Sequence, residues 1–246
     1  MLIFFLFLCF SSNLHAEALQ VTPYRPTVSN PAELSALNHF ELEFGAQLNQ
    51  PGMSEERTSL PFLLKYPFLE NWGVMVGGEA WVRESGSDGK YDSFGNTSLL
   101  VKYYYPFSDT LAIGVEAGPI LPSAKKPIGS GRTDWMSNLI ISKDIDDLRI
   151  DLNVGAILQG SHQTAHDDFK YNWALAASHP LINDWGIAGE FSGYLGPDQL
   201  PTSQWLMTLN YMVNRLLVVD FGGSVGLTTS SDDYGVFAGF AFLFDP

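Results

Sequence analysis

Apolar and polar residues alternate most regularly at the end of the chain. Between Leu216 and Phe244, apolar side chains occupy every second position in two runs separated by the polar stretch Thr228–Asp233. Period-2 alternation indicates β-strands, so the two runs predict a hairpin. Each run can cross a bilayer as a tilted strand, which takes about 9–11 residues. The opposite face carries small residues and one carboxylate, Asp220. An apolar outer face with a small or polar inner face is typical of a transmembrane β-barrel.

The same pattern recurs upstream and gives a complete set of strands. The expected strands are residues 38–48, 58–68, 72–84, 95–107, 110–121, 133–144, 148–160, 168–180, 185–196, 203–213, 216–227 and 234–244. We therefore predict an all-β fold over residues 38–246, an antiparallel up-and-down transmembrane barrel of about 12 strands.

The predicted connections alternate in length along the chain. Short turns are expected at 69–71, 108–109, 145–147, 181–184 and 214–215. Long loops are expected at 49–57, 85–94, 122–132, 161–167, 197–202 and 228–233. Outer-membrane barrels have short periplasmic turns and longer external loops. Aromatic residues collect near both sets of strand ends, as expected for two interfacial girdles.

The first residues have the character of an export signal. Met1–Phe10 is apolar, and small residues follow at Ala16 and Ala18, so residues 1–16 form an expected signal peptide with cleavage possibly at 18. A short membrane anchor is the alternative. The only cysteine, Cys9, lies in this run, which leaves the mature chain without disulfides. Residues 19–37 contain three prolines and no clear period, and they predict an extended periplasmic lead-in.

The amino-acid composition limits which partners the protein can bind. The net charge is −14 and only 16% of residues are charged, which argues against a nucleic-acid partner because such proteins need a basic face. The expected partners are outer-membrane lipid, lipopolysaccharide and a small-molecule solute. We expect no cofactor. The expected location is the outer membrane of a Gram-negative cell.

Charged residues at the inward positions are the candidate functional residues, because an arginine or lysine facing lipid costs roughly 2–4 kcal/mol at the midplane. The lumen-lining candidates are Glu41, Glu43, Lys65, Glu79, Arg83, Lys102, Glu116, Arg149, Asp151, Glu190 and Asp220. We expect Lys65 and Lys102 to pair with Glu79 and Glu116, and the excess negative charge to favour cations and neutral solutes. These charges fit two interpretations: a permeable polar lumen, or a structural ion-pair network that fills the barrel.

The alternation also predicts which positions tolerate charge. Arginine is expected to block insertion at Leu152 or Val219, which face lipid. It is expected to be tolerated at Asn153 or Ser224, which face inward.

The histidines offer few candidates for a catalytic or metal site. His39 and His179 lie at the periplasmic end, whereas His162 and His166 share an external loop with Asp167. No serine, histidine and carboxylate have the spacing of a hydrolytic site, so no enzyme is expected. His162, His166 and Asp167 could bind a metal loosely, but solvated loop residues are the preferred interpretation, and we predict no metal site.

Three short motifs resemble a known family when taken in order. They are Arg25–Pro31 followed by Phe40–Gly45, then Gly95–Tyr103, then Leu121–Pro122 with Gly131–Trp135. Their order resembles Gram-negative outer-membrane proteins labelled transporter or MetA-pathway of phenol degradation. The resemblance implies an outer-membrane channel for small hydrophobic or aromatic solutes. A non-transporting structural or surface-interaction barrel and a soluble secreted β-protein are the alternatives.

Overall fold

The computed structural model describes residues 19–53, 55–87, 89–160, 169–196 and 199–245. Within these ranges the chain forms thirteen β-strands. They are β1 (Glu41–Gly52), β2 (Glu55–Leu69), β3 (Trp72–Gly86), β4 (Gly89–Ser93), β5 (Thr97–Ser108), β6 (Leu111–Leu121), β7 (Asp134–Ile145), β8 (Leu148–Leu158), β9 (Phe169–Pro180), β10 (Trp185–Gly196), β11 (Gln199–Asn214), β12 (Leu217–Gly226) and β13 (Tyr234–Leu243). The described part of the chain contains no helix that is long and apolar enough to cross a membrane.

The strands close into one cylinder. All pairings are antiparallel, and β1 pairs with β13 from Glu41–Leu243 to Gln50–Tyr234, which joins the two ends of the sheet. Strands β4 and β5 share one partner: β3 pairs with β4 over Val82–Gly86 and with β5 over Trp72–Gly78. They therefore count as one interrupted strand of the wall. The fold is a closed antiparallel barrel of 12 strands, and the predicted fold class is confirmed.

The short turns lie at the barrel end where β1 begins. Asp146, Asn183 and Asp184 adopt φ of 52°, 56° and 64° in two of these turns. Asparagine and aspartate tolerate this left-handed conformation better than most residues because their short polar side chains can bond locally. The turn chemistry read from the sequence thus fits the tight reversals observed between β7 and β8 and between β9 and β10.

Three of the predicted long loops are mostly strand. The prediction is wrong at 49–57, where β1 continues to Gly52 and β2 starts at Glu55. It is also wrong at 85–94, where β3 continues to Gly86 and β4 starts at Gly89, and at 197–202, where β11 already starts at Gln199. These extensions carry charged and small residues on both faces. Apolar alternation disappears where both faces meet water, although the backbone ladder continues.

The distribution of apolar and charged side chains is the reverse of that in a soluble protein. Its outward positions carry exposed apolar side chains, including Leu152 at 37% and Val154 at 52% exposure. The largest fully buried side chains include Lys65, Lys102 and Glu116. An apolar exterior around a charged interior is stable in lipid, where the outer face meets hydrocarbon and the inner face does not.

Candidate functional site

The interior of the barrel is occupied by the chain's own N-terminal segment. Residues 19–38, here called the plug, enter beside β12, where Val21 N–H donates to Arg215 O at 2.8 Å. They leave beside β2, where Asn38 N–H donates to Pro67 O at 2.8 Å. Tyr24 and Ala32 retain only 3% and 0% of their exposure. The expected periplasmic lead-in is thereby corrected, because residues 19–37 are extended but lie inside the barrel.

Wall carboxylates accept the plug's backbone N–H groups. The wall strands use their own backbone groups in the ladder, so between its two ends the plug depends mainly on wall side chains for hydrogen bonds. Three carboxylates do so at 2.7–3.2 Å: Glu41 binds Thr22, Glu43 binds Tyr24 and Arg25, and Glu190 binds Val28 and Ser29. Charge-assisted bonds of this kind are stronger than neutral ones. Glu41, Glu43 and Glu190 therefore hold the plug rather than line an open lumen.

Neutral side chains continue this row on β7 and β8. Asn153 Oδ1 accepts Asn30 N–H at 3.1 Å, and Asn153 Nδ2 donates to Asn30 O at 2.9 Å and Ser29 Oγ at 3.0 Å. Ser142 Oγ accepts Ala32 N–H at 2.8 Å. Asn153 faces inward as predicted, but the expectation that it tolerates arginine is revised, because its side chain is buried against the plug.

Two buried lysines surround the Tyr24 ring. Lys65 Nζ lies 3.7 Å and Lys102 Nζ 4.0 Å from the ring centroid. Lys65 pairs with Glu43 at 2.6 Å and with Glu41 at 2.6 Å, the latter without hydrogen-bond geometry. Cation–π attraction strengthens when both groups are desolvated. This cluster fixes the tyrosine against the inner face of β2, β3 and β5, where it also packs on Met75 and Leu100.

Lys102 connects the plug to the neighbouring strands β5 and β6. Its ammonium lies 3.0 Å from Glu116 Oε1, which is the predicted Lys102–Glu116 pair, and donates to Pro31 O at 2.6 Å. The Glu116 carboxylate also accepts the amide of Asn30 at 3.1–3.2 Å. Both Lys102 and Glu116 are fully buried. A buried charge is tolerated only when it is paired and hydrogen-bonded, and here the plug supplies part of that bonding.

Arg149 forms a second cluster nearer the short turns. It pairs with Asp151 at 3.2 Å, with Asp144 at 3.5 Å and with Glu33 of the plug. Asp151 Oδ1 also accepts the Ser142 hydroxyl at 2.5 Å. Arg149 and Asp151 thus lie on the inner face, as the alternation predicts, and meet a plug residue.

The wall between β2 and β3 contains a bulge that corrects one prediction. Ser59 pairs with Val82 whereas Pro61 pairs with Glu79, so one extra residue of β3 intervenes. A bulge of one residue exchanges the two faces of a strand beyond it. Val82 is therefore fully buried, and Arg83 points outward with 48% of its side chain exposed, paired with Asp92 at 2.7 Å. Arg83 as a lumen-lining residue was wrong.

Glu79 stays on the inner face but does not have its predicted partner. Arg57 Nη1 and Nη2 donate to the two Glu79 oxygens at 2.7 Å each. Lys65, its predicted partner, is bound to Glu41 and Glu43. The sequence interpretation placed Arg57 in a loop and so missed this pair. Because β2 begins at Glu55, alternation counted from Ser59 would have placed Arg57 inward.

Asp220 holds the plug's only arginine. Arg25 Nη2 lies 3.1 Å from Asp220 Oδ1, and Arg25 Nε donates to Asp220 Oδ2 at 3.3 Å. Sequence reasoning found the charged residues of the wall but missed their plug partners: Tyr24 and Arg25 for the carboxylates, and Glu33 for Arg149. A segment with three prolines and no period gives no signal of facing a wall.

Cavities lie on both sides of the plug. One of about 930 Å³ is lined by plug residues together with Arg149, Thr208 and Asn210. The other, of about 270 Å³, is lined by Leu63, Leu206 and Phe237 together with Gln47 and Gln204. Arg25, Pro26 and Thr27 line both, so this stretch of the plug separates them.

The described residues contain no group of three histidine, cysteine, aspartate or glutamate side chains arranged to hold a metal ion. The loop residues His162, His166 and Asp167 lie outside the described residues. The fold and the site together define a 12-stranded transmembrane barrel whose lumen is filled by its own N-terminal segment.

Solved structures that resemble this barrel are outer-membrane channels and porins. An outer-membrane channel from Pseudomonas putida F1 superposes with a TM-score of 0.70 at 12% identity, covering 87% of this chain and 98% of that one. The KdgM porin gives a TM-score of 0.60 at 13% identity over 83% and 99% of the two chains. The CymD monoaromatic hydrocarbon channel gives 0.52 at 10% identity over 86% and 89%. At these identities the likeness shows the fold.

No family model and no curated protein matches the chain. The phenol-degradation label, which the sequence motifs suggested, therefore remains a resemblance.

Proposed function

We propose that this protein is an outer-membrane channel for small solutes, closed by the plug in the structure described here and opened when the plug moves. The observation that carries this proposal is how the plug is attached. From Thr22 to Ala32 its backbone N–H groups bind wall side chains, whereas the wall is held by continuous strand ladders. The plug can therefore leave without disturbing any ladder of the wall.

The width of the barrel supports an open state. Barrels of about eight strands are filled by their own side chains, whereas porins of 16–18 strands leave an aqueous channel. Twelve strands lie between these limits, and in this barrel the space is taken by a polypeptide segment in addition to wall side chains. Displacing the segment would join the two cavities into one passage.

The solutes we propose are small and partly hydrophobic or aromatic. The cavity on the long-loop side offers Leu63, Leu206 and Phe237 for apolar contact, and Gln47 and Gln204 for hydrogen bonds. Its volume of about 270 Å³ suits a small ring compound. The name of the CymD monoaromatic hydrocarbon channel and the sequence resemblance point to the same class of solute.

The remaining parts of the proposal concern location and partners. An expected signal peptide at residues 1–16 and an apolar outer wall support insertion into the outer membrane, where the external loops would meet lipopolysaccharide. We propose no catalytic activity and no cofactor. The structural neighbours described above are channels and porins.

A permanently filled structural barrel is the second candidate, and the buried charges favour it. Lys102 and Glu116 have no exposure, and Lys65 and Glu43 at most 2%. If the plug never leaves, these charges are simply part of the core and the protein transports nothing.

A disulfide between plug and wall separates these two candidates. A Cβ built on Gly114 of β6 would lie 3.4 Å from Ala32 Cβ and 3.0 Å from Ala32 Cα. A shift of the plug backbone by a few tenths of an ångström brings the two Cβ atoms into the 3.5–4.5 Å range that a disulfide requires. The double variant Ala32→Cys with Gly114→Cys should therefore lock the plug when oxidised and release it when reduced. The one native cysteine, Cys9, lies in the expected signal peptide and would be removed with it.

The measurement is swelling of proteoliposomes in a small neutral sugar or aromatic alcohol, before and after a reductant. The channel proposal expects no swelling when oxidised and recovery when reduced, with Ala32→Cys alone permeable under both conditions. Absence of swelling in every sample would favour the structural barrel. Swelling of the oxidised double variant would show that the plug does not close the passage.

A further inference from the structure

Arg25 lies in a niche formed by three residues on adjacent strands. Gly45 of β1 pairs with Gly239 of β13, and Gly239 pairs with Asp220 of β12, so Gly45, Gly239 and Asp220 form one row across the inner wall. We call this row the arginine niche. A Cβ built on Gly45 would lie 2.5 Å from Arg25 Cζ, and one built on Gly239 would lie 2.6 Å from Arg25 Nη2. The guanidinium therefore lies directly on backbone that only glycine leaves uncovered.

The niche has the shape and charge of a site for a planar cation. The two glycines form a floor without side chains, and the Asp220 carboxylate at its edge binds two guanidinium nitrogens. A guanidinium matches this geometry because it is flat and presents its donors as a rigid fork, whereas an ammonium is a compact point charge.

The arginine niche also lies between the two cavities that the plug separates. Arg25 lines both cavities, so the group that occupies the niche contacts the space on either side of the plug. Once Arg25 leaves, Asp220 loses the cation that it binds in the closed state, and Glu43 nearby loses the Arg25 and Tyr24 N–H groups. The vacated niche would be negative and shaped for a flat cation.

We propose that the arginine niche is a binding site for guanidinium and amidinium groups, which Arg25 fills in the closed state and a solute bearing such a group fills in its place. This inference rests on the proposed channel function and narrows its solute class. The small apolar cavity beside Arg25 would hold the remainder of such a solute, since Pro26, Leu206 and Phe237 line it. In this scheme the solute competes with the plug's own side chain.

Binding is tested on the full-length, detergent-solubilised barrel with Arg25→Ala, using methylguanidinium as the probe and methylammonium as the control. Isothermal titration should show methylguanidinium binding roughly tenfold tighter than methylammonium, because only the planar ion can use both Asp220 oxygens and the glycine floor. Adding Gly239→Ala or Asp220→Asn to Arg25→Ala should abolish this preference. Heat-modifiable gel migration verifies that each variant is folded.

A second measurement uses the plugged protein and does not depend on the Arg25→Ala variant. With Ala32→Cys as a reporter, millimolar methylguanidinium should accelerate labelling by a membrane-impermeant maleimide several-fold, and methylammonium should not. Equal affinities in Arg25→Ala together with equal labelling rates here would overturn the niche.

The outcomes separate this inference from the channel proposal. Selective binding without any solute flux in the disulfide experiment would leave the niche standing and remove the transport function. Flux that depends on plug release, with no preference for methylguanidinium, would leave the channel and remove the niche.

Discussion

Replacing Asn153 with leucine should loosen the plug while leaving the wall intact. Asn153 makes three hydrogen bonds to the plug, to Asn30 N, Asn30 O and Ser29 Oγ, at 2.9–3.1 Å. Leucine has the same branched shape but no hydrogen-bonding group. Because the site is buried, the Asn30 backbone groups would lose their partner without gaining water.

The magnitude follows from those three bonds. A neutral hydrogen bond contributes about 1 ± 0.5 kcal/mol, so the closed state should lose about 3 kcal/mol relative to the open one. Since 1.4 kcal/mol is a factor of ten, the open population should rise roughly a hundredfold. The loss of the Asn138 bond to Asn153, at 2.8 Å, affects the wall in both states and largely cancels.

The assay is the labelling rate of Ala32→Cys by an impermeant maleimide. Ala32 is fully buried in the closed state, so its labelling reports opening. The matched control is Asn210→Leu, the same substitution at an inward-facing asparagine of β11 whose amide makes no hydrogen bond to any described plug residue. We expect about a hundredfold acceleration in Asn153→Leu and little change in Asn210→Leu. Equal rates in Asn153→Leu and the parent would refute the view that side-chain hydrogen bonds hold the plug.

Three further predictions follow from the wall. Leu152→Arg should abolish insertion in a lipid-folding assay, because an arginine facing lipid costs roughly 2–4 kcal/mol. Ser224→Arg should still insert because Ser224 borders a cavity inside the barrel. Similar folding yields for the two variants would mean that the assigned strand register is wrong. Lys102→Met should lower the free energy of unfolding by about 3–5 kcal/mol, because the buried Glu116 loses its cation. The double variant Lys102→Met with Glu116→Gln should recover much of that loss. Strictly additive effects in denaturant titrations would contradict the pairing. An epitope inserted at Asp146 should bind antibody only after the outer membrane is permeabilised, and binding on intact cells would reverse the proposed orientation.

The barrel wall was predictable because its physics is local. A strand between lipid and lumen must alternate apolar and polar side chains, and its turns must accept residues such as Asp146 and Asn183. Alternation therefore gave the strand number and the inward placement of Glu116, Glu190 and Asp220. It failed where the apolar alternation is absent, in the hairpin extension at β4, and where a bulge reverses the faces, at Arg83.

The occupant of the lumen could be seen only in the tertiary structure. The plug bonds through its backbone N–H groups to carboxylates that lie far along the chain, as Ser29 does to Glu190. A backbone group leaves no mark in the amino-acid pattern, and nothing local links Arg25 to a pair of glycines on β1 and β13. The sequence by itself determined a barrel with a charged interior. Long-range packing decided that those charges hold a segment of the same chain, because only closure of the wall brings Glu43, Glu190 and Asp220 around residues 19–38.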